Sequence, residues 1–388
     1  MKVAFRWSTM LMGPAALAAF ALALTSRASA DADDISRPIL PPTPTVSSTV
    51  PSNGDVNPYG VAFVPSEFPQ GGPLHPGDFL VSNFNNNQNL QGTGTTIVRV
   101  EPNGHTSLFF ESPSFHSIFE PPPPVGLTTA LVILKAGFVI VGGFPSTDGT
   151  CQHASPGQLA VLDASGHFVT SLTVPISLTE QLISGPWDMA ADDEGDHAAL
   201  FVANALTGNV LRLDVEVGGG TVSIKDVFTI AGGYVHRCDP VTFVVAPTGL
   251  AYDKSRDVLF VASTGDNAVF EIENAAKATT SAGKGHLIYS DNAHLHGALA
   301  MVLGPCGHLF VSNNDGINPD PNQPSEIVEF TTGGKFISQY SVDPAPGGAF
   351  GVGLQLQGDD FIRFAAVDDN KNNVTAWTLP IPECSGSH

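Results

Sequence analysis

A short strand unit recurs along this 388-residue chain, and no other feature constrains its fold as strongly. The clearest copy spans residues 247–272, where polar turns separate three apolar and β-branched runs at 249–252, 258–262 and 268–272. Each run is too short to pack alone. Three or four such strands form one small sheet, and both faces of that sheet need cover from neighbouring sheets.

The same order of strands occurs six times, at intervals of roughly 50 to 65 residues, which is the spacing of radial or solenoid repeats. In the other copies the first strand begins near Tyr59, Val125, Pro186, His296 and Gly351. Because radial repetition leaves no long sheet edge unpaired, we expect an all-β fold, a six-bladed β-propeller of four-stranded antiparallel blades. It should occupy residues 54–382, followed by a short tail at 383–388.

The repeated residues resemble a known family. Pro-x-Gly-x-Ala, a turn, Leu-Phe-Val-Ala and an Asn-x-Val strand, all present in residues 247–269, look like the NHL repeat. That repeat builds six-bladed propellers, a group that also includes virginiamycin B lyase and gluconolactonase-like proteins. The first, third and fifth copies match it clearly. The resemblance implies fold far better than function, since propellers host many unrelated chemistries.

Residues 1–30 have the pattern of an export signal. Two basic residues precede an apolar run at 10–24, and Ala28-Ser29-Ala30 is a small-residue cleavage pattern. The run is short for a membrane span, and no later stretch reaches the required length. The sequence therefore predicts a secreted or periplasmic protein, cleaved near Ala30, that does not cross a membrane.

Residues 31–53 are rich in Pro, Ser and Thr, as linkers are. Residues 45–50 are the exception, because they form a β-prone run. The sixth copy of the repeat runs out of chain after Trp377. We therefore expect residues 45–50 to supply the outermost strand of the last blade and to close the ring.

The charge balance of the chain is strongly acidic. The formal net charge is −21, and removal of Lys2, Arg6 and Arg27 with the signal would make it more negative. Such a balance repels phosphate backbones and anionic lipids, so we expect no nucleic-acid partner and no membrane partner. An acidic surface that serves only solubility is the alternative to a functional role for these charges.

The four cysteines can be paired once the blades are placed. Cys151 falls in a loop on the top face and Cys238 in a blade-to-blade link on the same face, whereas Cys306 and Cys384 should both lie underneath. Four cysteines allow three pairings, and this topology favours Cys151 with Cys238 and Cys306 with Cys384. Export makes disulfides plausible, and free buried thiols are the alternative.

Two histidines are candidate catalytic residues. His296 begins an innermost strand, and His294 lies one strand period earlier on the same side, so both should face the channel mouth. The segment around His296 resembles a repeat of virginiamycin B lyase, whose catalytic histidines act with a carboxylate and a divalent metal. Asn313 and Asn314 follow the second strand, where that carboxylate is expected. Hydrogen-bonded structural histidines are the alternative.

Other channel candidates occupy equivalent positions in the repeats. The candidate ligand-binding residues are Trp187, Asp188, Asn83 and His236. The resemblance to gluconolactonase-like enzymes implies a divalent cation, calcium or a similar ion, held by Asp188, Asn204 and Asn313, since hard ions prefer carboxylate and amide oxygens. The alternative is that the asparagines only make the turns after their strands.

Two classes of function remain open. The first is an exported platform that binds a small molecule, a glycan or a protein through its top face, where the long loops lie. The second is a divalent-metal-dependent hydrolase or lyase, such as a lactonase, with its site in the channel. No nucleophile elbow, phosphate-binding glycine loop or dinucleotide fingerprint is present. Three or more side chains that converge on one point at the mouth of the channel, as metal ligands do, would favour the enzyme. A channel mouth filled by side chains would favour the binding platform.

Overall fold

The protein is a six-bladed β-propeller, as the repeats predict. A computed structural model describes residues 38–39, 44–112, 126–176 and 182–381. Six sheets of four antiparallel strands form the blades, and a small two-stranded sheet lies outside them. The predicted export signal, residues 1–30, and the predicted tail, residues 383–388, lie outside the described residues.

The strands of the first three blades follow chain order from the inside outward. Blade one contains β2 (Val56–Phe63), β3 (Phe79–Asn85), β4 (Thr96–Val100) and β5 (Thr106–Glu111). Blade two contains β6 (Leu127–Leu134), β7 (Phe138–Gly143), β8 (Gln158–Leu162) and β9 (Phe168–Leu172). Blade three contains β10 (Pro186–Asp193), β11 (His197–Asn204), β12 (Asn209–Gly218) and β13 (Thr221–Gly232).

The small sheet and the last three blades follow. The small sheet pairs β14 (Arg237–Asp239) with β15 (Phe243–Val245). Blade four contains β16 (Pro247–Asp253), β17 (Val258–Ser263), β18 (Ala268–Glu273) and β19 (His286–Tyr289). Blade five contains β20 (Ala298–Leu303), β21 (His308–Asn313), β22 (Glu326–Thr331) and β23 (Phe336–Ser341). Blade six contains β24 (Ala349–Gln357), β25 (Phe361–Asp368), β26 (Asn373–Pro380) and β1 (Thr45–Ser48).

The first strands of the six blades surround a narrow axis. Each of them, β2, β6, β10, β16, β20 and β24, packs against the first strands on both sides. Glycines permit this approach. A Cβ atom at Gly351 would collide with the carbonyl oxygen of Tyr59, and one at Gly249 would collide with the carbonyl oxygen of Leu299. The inner ring is therefore too tight for side chains at these positions.

Most of the core lies between neighbouring blades. Each interface is filled by apolar side chains that alternate along the facing strands. Between blades six and one, for example, Phe79 and Val81 pack against Ala365 and Val367. The middle strands are buried on both faces because they have a blade on either side. In the described part of the chain, no helix is long and apolar enough to span a membrane.

The N-terminal segment closes the ring, as predicted. Strand β1 pairs with β26 in an antiparallel ladder, from Thr45 opposite Ala376 to Ser48 opposite Asn373. Immediately after it, the backbone N–H and the hydroxyl of Thr49 both donate to the carbonyl of Asn372, at 3.1 and 3.0 Å. The last blade thus combines both ends of the described chain in one sheet.

Deletion of residues 44–50 is expected to lower the melting temperature of the mature protein. It exposes one edge of β26 and removes the buried Thr49, a loss of about 2 kcal/mol, which corresponds to roughly 3 °C in a chain of this length. Circular dichroism would measure the change. Val46→Thr is the control, because the Val46 side chain is exposed on the same strand. A deletion variant that melts at the wild-type temperature would contradict the closure.

Candidate functional site

Six aromatic rings close the top of the central axis. Tyr59, Phe84, Phe144, Trp187, Phe243 and Phe350 form this aromatic plug. Tyr59 and Phe350 stack with ring centroids 4.7 Å apart, and Trp187 lies 5.5 Å from both Tyr59 and Phe84. Trp187 has no exposed surface. Aromatic contacts at these distances contribute attraction beyond the burial of apolar area. The channel mouth is therefore filled with side chains.

The small sheet of β14 and β15 lies over this plug, and we call it the cap hairpin. Cys238 of β14 forms a disulfide with Cys151, which lies in the loop after β7. This confirms the first predicted cysteine pair and its position on the top face. The second predicted pair involves Cys384, which lies outside the described residues, so the pairing of Cys306 with Cys384 stays a prediction.

The cap hairpin contributes one ring to the plug, that of Phe243. The ring contacts Phe84 and Phe144 at centroid distances of 5.3 and 5.4 Å. Phe243 has a φ of 66°, a left-handed conformation that is unusual for a bulky side chain. The preceding turn is held by Asp239, whose carboxylate accepts the backbone N–H groups of Val241 and Thr242. The disulfide and this turn together hold the strained residue in place.

A small cavity of about 80 Å³ lies on the axis, lined by residues of all six first strands. Asp188 is the one ionisable residue among those that line it. Its carboxylate accepts the backbone N–H groups of Met189 and Leu250, both at 2.8 Å. Burial raises the pKa of Asp188 well above its usual value, although these two hydrogen bonds act in the opposite direction. Both carboxylate oxygens therefore already have partners.

The predicted metal ligands do not share one surface. Asp188 lines the axial cavity, whereas the amides of Asn204 and Asn313 bind the blade-to-blade links. Asn204 accepts the N–H of Ser184 and donates to the carbonyl of Leu182. Asn313 is bonded in the same way to backbone groups of the link that precedes β20. Among the residues that the structure describes, no three His, Cys, Asp or Glu side chains are placed to hold a metal ion.

The other predicted ligand-binding residues are also separated. Asn83 is buried, and its side-chain amide donates to the carbonyl of Thr49, which follows the closing strand. His236 is exposed in the link before the cap hairpin, with Nδ1 3.0 Å from the carbonyl of Tyr234. Trp187 lies within the plug. Their roles in ligand binding stay predictions.

The two candidate catalytic histidines point to different surroundings. Nδ1 of His294 is hydrogen-bonded to the carboxylate of Asp291, and its ring stacks on Phe336 of the outermost strand, with ring centroids 3.8 Å apart. His296 is buried, and its Nδ1 lies 2.6 Å from the carbonyl oxygen of Asn318. The structure therefore does not bring the two imidazoles together, and a catalytic role for either stays a prediction.

A groove of about 440 Å³ opens on the top face between blades one and two. We call it the top groove. Its polar lining includes Asn53, Asp55, Asn86, Asn87, Thr95, Glu111, Ser146 and Thr147. None of these residues was predicted from the sequence as a site residue. The Asn- and Gln-rich run in the loop after β3, from Asn85 to Gln91, is the signal that could have pointed to them.

Hydrogen bonds shape the floor and rim of the top groove. Asp55 is buried and accepts the backbone N–H and the hydroxyl of Thr95, at 2.8 and 2.9 Å. At the rim, Asn53 donates to the exposed carboxylate of Glu111 at 3.3 Å. None of the described residues that line the groove is Lys or Arg. The groove therefore offers amide, hydroxyl and carboxylate groups to a ligand and no positive charge.

Comparison with solved structures supports the fold. A gluconolactonase from Xanthomonas campestris aligns with a TM-score of 0.51 and 14% identity, over 89% of this chain and 99% of that one. Regucalcin, a calcium-binding protein from Agrobacterium tumefaciens, aligns with a TM-score of 0.45 and 13% identity, over 87% and 94%. No family model and no curated protein sequence matches. The likeness to the gluconolactonase, at 14% identity, shows a shared propeller fold alone, and the NHL assignment remains a resemblance.

Phe243→Ala is expected to destabilise the protein by about 3 kcal/mol, because it removes a fully buried ring from the plug and leaves a cavity. Val241→Ala is the matched control, since Val241 lies on the same hairpin and is 76% exposed, so its substitution should change stability by less than about 0.5 kcal/mol. Urea denaturation would measure both. Equal effects of the two substitutions would show that Phe243 does not pack as described.

Proposed function

We propose that this protein is an exported binding propeller that takes an uncharged or cationic, hydroxyl-rich ligand of the oligosaccharide class in its top groove. The aromatic plug carries this proposal. A propeller enzyme with its site in the channel needs an open mouth, whereas here six rings and a disulfide-bound hairpin fill it. Binding therefore has to use the rest of the top face.

The size and chemistry of the top groove support a saccharide ligand. Its volume of about 440 Å³ falls within the range of small-molecule sites. Sugars present many hydroxyl groups. The Asn and Thr side chains of the groove can both donate to them and accept from them, and the Glu111 carboxylate can accept from them. Leu90, 38% exposed at the groove, provides an apolar contact for the face of a sugar ring.

The charge of the protein narrows the class of ligand further. Asp55 and Glu111 line the groove, and the whole chain has a formal net charge of −21. Sulfated, phosphorylated or uronic-acid glycans would therefore be repelled at the site and on approach. Uncharged and amino-substituted sugars are compatible with this negative electrostatic potential.

Export supports a partner outside the cytoplasm. The pattern of residues 1–30 is that of a cleaved signal, and the Cys151–Cys238 disulfide fits an oxidising compartment. Glycans are abundant ligands in such compartments. The two observations are independent, since one concerns the N-terminus and the other the folded propeller.

A metal-dependent lactonase is the second candidate function. It is favoured by the fold likeness to a gluconolactonase and by the buried carboxylate of Asp188 on the axis. In this protein such a site would require displacement of the cap hairpin and of the rings beneath it. Asp188 would also have to exchange its hydrogen bonds to Met189 and Leu250 for a metal ion.

Glycan-array screening of the mature protein, followed by calorimetric titration of the best ligand, would test the proposal. Glu111→Gln and Asn87→Ala should each weaken binding about tenfold, as loss of one well-formed hydrogen bond does. Gln88→Ala is the matched control, because Gln88 lies in the same loop and does not line the groove. Failure of all uncharged and amino sugars to bind, or wild-type affinity in Glu111→Gln, would contradict the top groove as the site. Lactone hydrolysis that a chelator abolishes would favour the enzyme instead.

A further inference from the structure

Asp55, at the floor of the top groove, has a carboxylate with one unused oxygen. The residue lines the groove and is 4% exposed. Its Oδ2 accepts the backbone N–H of Thr95 at 2.8 Å and the hydroxyls of Thr95 and Thr96, both at 2.9 Å. Its Oδ1 accepts no hydrogen bond from the described residues, and they do not seal it inside the protein. The groove therefore contains a carboxylate oxygen that is free to meet a ligand.

The structural role of Asp55 needs only Oδ2. Through that oxygen, the residue immediately before β2 holds the start of β4, where Thr96 lies. A charged carboxylate that is taken out of water is costly unless an opposite charge compensates it. None of the described residues that line the groove is Lys, Arg or His. The charge of Asp55 therefore has no cationic side chain beside it in the groove.

A second carboxylate, that of Glu111, lies on the same wall of the groove. Nδ2 of Asn53 donates to Oε1 of Glu111 and to the hydroxyl oxygen of Thr95, both at 3.3 Å. The same hydroxyl donates to Oδ2 of Asp55 at 2.9 Å. A chain of hydrogen bonds thus joins the two carboxylates, and both of them line the groove. Their attraction for a cation is stronger there than in bulk water, because protein replaces part of the solvent.

A protonated primary amine fits this arrangement better than the other groups that a sugar carries. Its N–H donors and its positive charge allow a charge-assisted hydrogen bond to Oδ1 of Asp55, which is stronger than one from a neutral hydroxyl. An acetamido group keeps one N–H but has no charge. Calcium takes six to eight oxygen ligands, and no three His, Cys, Asp or Glu side chains in the described ranges are placed to hold a metal ion.

We propose that the top groove selects sugars with a free primary amine, whose ammonium group donates to Oδ1 of Asp55 while the charge of Glu111 adds attraction at the rim. We call this part of the groove the amine subsite. It rests on the proposed function, because it assumes that a saccharide occupies the groove, and it narrows the ligand to amino sugars that are not acetylated. Asp55 is then a specificity-determining residue.

Calorimetric titration of the mature protein with three matched sugars would test the amine subsite. The probes are the β-1,4-linked trimers of glucosamine, N-acetylglucosamine and glucose, at a pH below the pKa of the sugar amine. The glucosamine trimer should bind about tenfold more tightly than each of the others, or better, as a hydrogen bond to a charged group allows. The glucose trimer separates charge from size, because it has neither the amine nor the acetyl group. Equal affinity for the glucosamine and glucose trimers would overturn the proposal.

Asp55→Asn removes the charge with little change of shape. The amide can direct its oxygen to Thr95 and Thr96 and its NH2 group into the groove, where it opposes the N–H donors of an ammonium group. The preference for the glucosamine trimer should therefore disappear. Glu273→Gln is the matched control, because it changes the net charge equally at an exposed position of blade four, and it should keep the preference. A preference that survives in Asp55→Asn would place the amine elsewhere and would contradict the subsite.

Glu111→Gln provides a second variant that does not depend on the buried carboxylate. Glu111 is exposed, so its substitution should leave the melting temperature within about 1 °C of the wild type. Loss of the rim charge should reduce the preference for the glucosamine trimer over the glucose trimer about threefold. An unchanged preference would show that this charge does not act on the amine.

The possible results separate the amine subsite from the proposed function. If the three trimers bind equally and Asn87→Ala weakens all of them, the groove is a saccharide site and amine recognition is wrong. If none of the trimers binds, both proposals fail. If micromolar calcium alone raises the melting temperature of the wild type but not that of Asp55→Asn, the carboxylate is a metal ligand and the amine subsite is wrong.

Discussion

The antiparallel ladder between β1 and β26 is the contact on which the ring depends. Apart from the aromatic plug on the axis, the apolar side chains of the core lie in the interfaces between the blades. Each interface is stable only if the blades on both sides stay in place, so the ring needs a closure. Here an N-terminal segment supplies it by completing the last blade. Asn83 adds a further link, since its amide binds the carbonyl of Thr49 from the neighbouring blade.

Close packing of the first strands then decides what the axis can hold. Glycines such as Gly351 and Gly249 bring neighbouring backbones together, and the axial space that remains is about 80 Å³. Above it, rings from different blades meet the ring of Phe243 from the cap hairpin. Burial of Tyr59 in this plug, together with the charge of Asp369, raises the pKa of its hydroxyl well above the usual value. The long top-face loops, rather than the channel, are left to present ligand sites.

Features that depend on the repeat could be predicted from the sequence, and features that depend on loop conformation could not. Strand order fixes which turns lie on top, so the blade count, the closing strand and the Cys151–Cys238 pair follow from it. The aromatic plug could not be predicted from strand order, because its rings come from distant segments of the chain. One of them, Phe243, belongs to a hairpin outside the repeat. His296 was expected at the channel mouth, but the carbonyl of Asn318, in the loop that follows β21, accepts its Nδ1 hydrogen. The asparagines that end the second strands were open to two interpretations, and the amides of Asn204 and Asn313 bind backbone.

The closed channel mouth is the central claim, and the fluorescence of Trp187 tests it most directly. The chain has three tryptophans, one of them, Trp7, within the predicted signal, so a mature Trp377→Phe variant would report on Trp187 alone. A ring without exposed surface should emit at short wavelength and resist quenching by iodide and acrylamide. Red-shifted emission with efficient quenching in the folded variant would show an open mouth and would contradict the account.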